Sequence, residues 1–246
     1  MSVKAAIHNG VNGVLRPLGV QLVRGFSADP AVKPFVSAKK TMNAARRAGL
    51  SVSDYIDQRH AVLGATATAV DAMLRLAALT SPVSRVCEIG PGTGRYAEPV
   101  IADLRPEVYE IYETASDWLP RLRQLPNVKV QPADGHTLGP TATASVDLVH
   151  AHKLFVYIPL VITVGYLQEM ARVVRPGGAV AFDIVTEACL DEAATESWVS
   201  GNAVIYSMIS RQWTLDLLER NGLALVGSSF VPLVGGKTEL LVFRKS

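Results

Sequence analysis

The chain has 246 residues, 49% of them hydrophobic, with 24 Lys/Arg against 22 Asp/Glu and a formal net charge of +2. That apolar content suits one large core or a domain with a cap, and so weak a charge imbalance does not indicate nucleic acid as a partner. The two cysteines, Cys87 and Cys189, supply neither a disulfide framework nor zinc-ligand spacing, and no 18-residue apolar run suggests a membrane span.

Residues 1–60 carry nine Lys/Arg and three Asp/Glu, a local +6 that leaves −4 on the remainder. Such a segment suits peripheral contact with anionic lipid or an acidic partner, and equally a solvated helical face. Lys4, Arg16, Pro17 and Arg24 interrupt its apolar residues, so a signal-peptide core is not expected and a cytoplasmic protein is. From Ala31 to about Thr80 the pattern is helical, with Ser51 and Asp54 forming a capping box. Residues 1–60 are therefore expected to be a helical extension or cap, and 61–246 the main domain, opening with a helix over 61–80. Strand-like runs follow at Ser84–Ile89, Val108–Tyr112, Val128–Gln131, Val146–Ala151 and Ala179–Val185. Helical or loop segments at Arg95–Leu104, Ser116–Leu125 and Pro159–Val174 separate them. Strands apolar on both faces, alternating with helices, indicate an α/β fold whose parallel sheet is covered on both sides. Arg175-Pro-Gly-Gly178 is a helix stop before the fifth strand. A helix near Arg211–Asn221 then precedes two runs, Leu223–Val231 and Thr238–Phe243, joined so closely that they must pair antiparallel.

The densest signal is Val-Cys-Glu-Ile-Gly-Pro-Gly-Thr-Gly over residues 86–94. An apolar strand running into alternating glycines lets the backbone approach a nucleotide-like ligand where a Cβ would obstruct it. Two registers compete. Gly92 and Gly94 with Ala97 match the dinucleotide fingerprint, whereas Glu88, Gly90, Gly92 and Gly94 form an acid-x-G-x-G-x-G loop. Glu113 closes the second strand, where a carboxylate can accept from both ribose hydroxyls of either ligand; Glu110 competes for that role but lies mid-strand.

With Pro132-Ala-Asp134-Gly135-His136 after the third strand, Arg175-Pro-Gly-Gly178 before the fifth and the terminal hairpin, the second register resembles class I S-adenosylmethionine-dependent methyltransferases over residues 61–246. The resemblance implies a Rossmann-like seven-stranded sheet, mostly parallel with an antiparallel last strand, helices on both faces and a helical N-terminal cap. It implies S-adenosylmethionine as cofactor and S-adenosylhomocysteine as product. Glu88, Gly90, Pro91, Gly92 and Gly94 would hold the amino acid portion of the donor, Glu113 and Thr114 the ribose, and Asp134, Gly135 and His136 the adenine.

For the acceptor, His150 and His152 share a face of the fourth strand, with His152 nearer its end. A histidine there suits a general base for a hydroxyl, or a packed residue satisfied by backbone. The Asn-Pro-Pro-Tyr-type segment that marks amino-group methylation in this family is absent; His152-Lys-Leu-Phe155 occupies its place. Asp183, Thr186 and Glu187 lie on or after the fifth strand on the expected acceptor side, and Asp183 and Glu187 are further catalytic candidates; Asp183, within an apolar strand, requires a partner or a role. Lys153 suits either an anionic group or solvent. No metal site is expected. Tyr55, Tyr96 and Trp118 lie near the expected cofactor edges, as packing or as a lid. The fourth-strand segment and the Thr238–Arg244 end are similar to bacterial O-methyltransferases of sugars, glycolipids and secondary products. The expectation is methyl transfer to an oxygen of a small molecule, with a carboxylate or carbon acceptor, or a non-catalytic donor-binding protein, as alternatives.

Overall fold

A computed structural model describes residues 36–201 and 206–246. Most of the basic stretch, and with it the absence of a signal-peptide core, lies outside the described residues. Among the described residues two helices come first, α1 (Ala38–Ala48) and α2 (Val52–His60). The expected capping box opens α2: Ser51 Oγ accepts the Asp54 N–H at 3.0 Å and donates to the Asp54 carboxylate at 2.8 Å. Helix α3 (Ala65–Ala77) follows, its buried Ala69, Val70, Met73 and Ala77 forming one stripe.

Seven strands then form one sheet: β1 (Arg85–Ile89), β2 (Val108–Tyr112), β3 (Val128–Val130), β4 (Val146–Ala151), β5 (Val174–Ile184), β6 (Leu223–Leu233) and β7 (Gly236–Lys245). Their order is β3-β2-β1-β4-β5-β7-β6, parallel throughout except for β7, which is antiparallel to both neighbours. The expected sheet is therefore present, antiparallel last strand included. Alternation along the strands divides the interior into two layers. Val86, Tyr109, Ile111, Leu148, Ala181 and Val242 pack against α3 and α4 (Ala97–Leu104). Cys87, Ile89, Val149, Val180, Phe182 and Phe243 pack against α6 (Leu160–Val173) and α8 (Arg211–Arg220).

Three local details have physical causes. Of the helical or loop segment Ser116–Leu125 only α5 (Leu119–Leu122) is helical: Pro120 suits a first turn, while Pro126 disfavours helical backbone at Leu125. Strand β5 begins at Val174, and residues 175–178 loop out of it between the pairs Val146–Val174 and Leu148–Ala179. A helix absent from the sequence expectation, α7 (Glu192–Ser200), is capped by Asp191 accepting the Ala194 N–H at 2.9 Å. No helix among the described residues is long and apolar enough to cross a membrane.

Candidate active site

Beyond the carboxyl ends of β1, β2 and β4 lies a cavity of about 450 Å³, roofed by α2 and lined by the glycine turn. That volume is within the range of small-molecule sites, about 300–1,000 Å³. Gly90 and Gly92 adopt φ of 65° and 51°, values that L side chains avoid. A Cβ on Gly90 would come to 3.2 Å from Leu154 Cδ1, whereas one on Gly92 would meet nothing within 4 Å and would occupy the cavity itself. The Gly92 N–H donates to Glu113 Oε2 at 2.7 Å and the Ala115 N–H donates to Glu113 Oε1 at 2.6 Å. The Thr114 N–H bonds it as well, and a carboxylate has about four acceptor positions, so capacity remains for a ligand hydroxyl on the cavity side. Pro91, Thr114 and Gly135 also line the space. This cradle of open glycine backbone beside a carboxylate with acceptor capacity left fits an adenosine-bearing donor.

Other sequence-predicted residues fall behind or beside the cavity. Glu88 is 1% exposed, and the Tyr109 hydroxyl donates to its Oε2 at 2.7 Å. Burial pushes this carboxyl up to about 8, further than the Tyr109 hydrogen bond lowers it. The same hydroxyl lies 2.9 Å from His150 Nε2, so Glu88, Tyr109 and His150 form a buried polar string beneath the cavity floor. His150 does not line the cavity, and burial drives its pKa well down. Gly94 turns away: a Cβ there would approach Leu122 Cδ2 at 3.1 Å. Glu110, the competing acid, is buried among Arg85 and Thr141 away from the cavity. Asp134 departs from expectation. It is exposed and spends its oxygens on its own loop, accepting from the His136 N–H at 2.8 Å and from the Thr137 N–H and hydroxyl at 2.7 Å each. Asp134 and His136 therefore lie outside the lining, and Gly135 between them is inside it.

On the opposite wall His152 is 5% exposed, lines the cavity and stacks on Tyr96 with ring centroids 4.2 Å apart. Neither of its ring nitrogens has a hydrogen-bond partner. Burial brings its pKa down to about 4, against the opposing pull of Asp183, with Lys153 and Arg95 lowering it further. Asp183 itself is not at the cavity. It has the partner its burial demands, for Lys153 places its backbone N–H 2.7 Å from Oδ1 and its ammonium 2.7 Å from Oδ2. Burial would raise the Asp183 pKa, but Lys153, His152 and Thr238 hold it below the usual carboxylate range. Lys153 has φ 52°, left-handed backbone in a non-glycine residue, and Asp183 clamps both ends of it beside His152. Thr186 donates to Glu239, and Glu187 accepts the Arg211 N–H, so neither faces the cavity.

Sequence reasoning missed the Asp57–Arg95 pair. Asp57, buried in α2, accepts from Arg95 at 2.8 Å and from the Thr66 N–H at 2.9 Å and hydroxyl at 2.7 Å. Arg95 directly follows the glycine turn and sits 4.7 Å from the Tyr96 ring centroid. Trp118 Nε1 donates to the Val36 carbonyl at 2.9 Å, holding the start of α1 over the cavity, while Tyr55 faces a different cleft. Pro232, Leu233 and Tyr157 complete the far wall. Among the described residues no group of three His, Cys, Asp or Glu side chains is placed to hold a metal ion.

A family model described as a methyltransferase domain matches residues 58–227. No curated protein matches the chain. Solved structures share the fold at low identity. A chain of the complex between the Haloferax volcanii Trm112 methyltransferase activator and a methyltransferase is 16% identical, with 82% of this chain and 96% of that one covered and a TM-score of 0.60. A geranyl diphosphate methyltransferase solved with S-adenosylmethionine is 14% identical over 74% of this chain and 85% of its own, with a TM-score of 0.56. The Galdieria sulphuraria structure described as a sarcosine dimethylglycine methyltransferase is 12% identical over 72% and 84%, at 0.53. The glycine cradle, the Glu113 carboxylate and the matched segment converge on one conclusion: the chain belongs to the methyltransferase-domain family and is a class I enzyme whose methyl donor is S-adenosylmethionine.

Proposed function

We propose that the enzyme methylates a hydroxyl oxygen of a small molecule, a sugar, glycolipid or similar secondary product, with His152 receiving the hydroxyl proton. The observation that carries this reading is His152 itself: a neutral imidazole in the cavity wall, stacked on Tyr96, with both nitrogens unpartnered. Leaving such a group buried and unpaired costs about 1–3 kcal/mol, which a bound substrate would recover.

In this reading Gly90, Pro91 and Gly92 hold the donor along the turn, Glu113 and Thr114 take its ribose, and Gly135 closes over its adenine. Glu88 and Gly94 shape the turn from beneath and beside it. When bound, S-adenosylmethionine supplies an electrophilic methyl group on a sulfonium. The chain's task is to align the acceptor oxygen with that methyl and to take its proton. An imidazole with a pKa near 4 does not preform an alkoxide. It accepts the proton as the attacking oxygen gains its third bond and becomes strongly acidic, so proton removal is late. Asp183 acts as a positioning residue, fixing the Lys153 backbone and so the direction of His152. The helices of residues 38–60 serve as the cap that excludes water.

The test is His152→Gln assayed by methyl transfer to sugar, glycolipid and polyketide-like alcohols. A loss of roughly 10²–10⁴ in kcat with unchanged S-adenosylhomocysteine affinity supports the reading. Undiminished kcat would instead favour a carboxylate acceptor, which needs no base and which the low basicity of His152 also suits.

A further inference from the structure

A second cleft, of about 590 Å³, opens between α1 and α2 on the outer side of the cap. One helix stripe lines each wall. Lys40, Asn43 and Arg47 recur at helical spacing on α1, and Tyr55 and Arg59 on α2. Val36, Ile56 and His60 line both this cleft and the catalytic cavity, so the two spaces share a wall.

The charges in the cleft are unbalanced. Among the described residues no carboxylate lines it. Of the acids on α2, Asp54 is bonded to Ser51 and Asp57 is committed to Arg95 and Thr66. Lys40, Arg47 and Arg59 are exposed and make no ion pair among the described residues. Helix dipoles account for Arg47 and Arg59, which sit in last turns. Lys40 lies in the first turn of α1, where the Asp117 carboxylate accepts the Ala38 N–H at 2.8 Å but does not line the cleft. Three cations around a concavity whose described lining holds no carboxylate describe an anion site. The concavity has the size of a small-molecule site, whereas a macromolecular partner would call for a broad surface.

We infer that the Lys40–Arg47–Arg59 cleft binds a phosphate ester group carried by the methyl acceptor, whose body passes Ile56 and His60 to present its hydroxyl at His152. This rests on the proposed oxygen methylation for the route inward; the anion site itself does not. The phosphate could belong to a soluble substrate or to a lipid headgroup, and both supply the same chemistry. Guanidinium and ammonium groups would share its oxygens through charge-assisted hydrogen bonds, each contact changing affinity about tenfold or more.

The experiment is calorimetry on the full chain saturated with S-adenosylhomocysteine, with phenyl phosphate as soluble probe and benzyl alcohol as neutral control. Vesicles of 30 mol% phosphatidylglycerol in phosphatidylcholine, and of phosphatidylcholine alone, are tested by flotation. Phenyl phosphate is expected to bind saturably, and Arg47→Gln/Arg59→Gln and Lys40→Gln are expected to weaken it at least tenfold. S-adenosylhomocysteine affinity should stay within twofold, which shows that the variants are folded. Retention on anionic vesicles that is lost in the double variant assigns a lipid source; binding of the soluble ester without retention assigns a soluble one. Absence of both, or binding that survives the substitutions, overturns the site. The readout is binding, so it is separable from turnover. Phosphate binding without methylation of any hydroxyl overturns the oxygen reading alone, and methylation of neutral alcohols without phosphate binding overturns the anion site alone.

Discussion

Replacing Glu88 with Gln should stabilise the protein at neutral pH. The carboxyl is sealed under the cavity floor, and burial lifts its pKa from 4.5 to about 8. A raised pKa means that the native state holds a proton which the unfolded chain releases. The stability this contributes is complete below pH 4.5 and is lost progressively up to about pH 8. At pH 7 the loss is 2.5 pH units at about 1.36 kcal/mol each, or about 3 kcal/mol. Glutamine keeps the shape and an oxygen acceptor for the Tyr109 hydroxyl but has no proton to lose. The gain of about 3 kcal/mol corresponds to a rise of roughly 6–12 °C in Tm for a chain of this size. The assay is thermal unfolding of both proteins, without donor, at pH 5 and pH 7. The two should melt within about 1 kcal/mol of each other at pH 5 and separate by pH 7. His150 and His152 bias stability in the opposite direction, but they are common to both chains and cancel in the difference. A Tm difference that does not change with pH would refute a protonated Glu88. Because Glu88 lies behind the turn, the same variant should keep S-adenosylhomocysteine affinity within a few-fold; a hundredfold loss would show direct contact with the donor.

Three further outcomes follow from the same geometry. With His152 down at about 4, its neutral form persists above that value, so kcat should be flat from pH 6 to 8 and fall only toward pH 4; an acid limb centred near 6.5 would contradict the buried, unpaired ring. Asp183→Asn strands the Lys153 ammonium and should cost about 3–5 kcal/mol in urea unfolding, much of it recovered by adding Lys153→Met. Gly92→Ala should lower S-adenosylhomocysteine affinity at least tenfold. Gly49→Ala, at φ 67° with nothing near its Cβ, should carry a similar backbone cost of roughly 1–2 kcal/mol and leave that affinity unchanged.

The sequence made the sheet legible because the strands are apolar on both faces and punctuated by Gly and Pro. Helix α7 escaped notice although Asp191 caps it, since Glu192–Ser200 buries only Ala194 and shows no apolar stripe. At the site, the glycine turn and Glu113 were visible as local patterns, because positive φ and a strand-end acid are properties of short segments. What Asp134 does could not be read from the motif alone, because its oxygens are taken by N–H groups of its own loop. Contacts between distant segments left no trace. Arg95 meets Asp57 across 38 positions and Lys153 meets Asp183 across 30, so each acid is only a charge in a helix or a strand until the chain folds.

The two walls of the cavity have different ancestries along the chain. The glycine cradle comes from one central block, residues 89–135, whereas the facing wall draws on the cap helices before it, on the segment from His152 to Tyr166, and on Pro232–Leu233 at the tip of the β6–β7 hairpin. Exchange of those outer segments between relatives would alter which molecule is accepted while the methyl-donor chemistry is inherited intact. Variation in this fold can therefore concentrate at the flanks, and a chimera that keeps residues 85–184, His152 included, and swaps the rest isolates what the outer segments contribute to specificity.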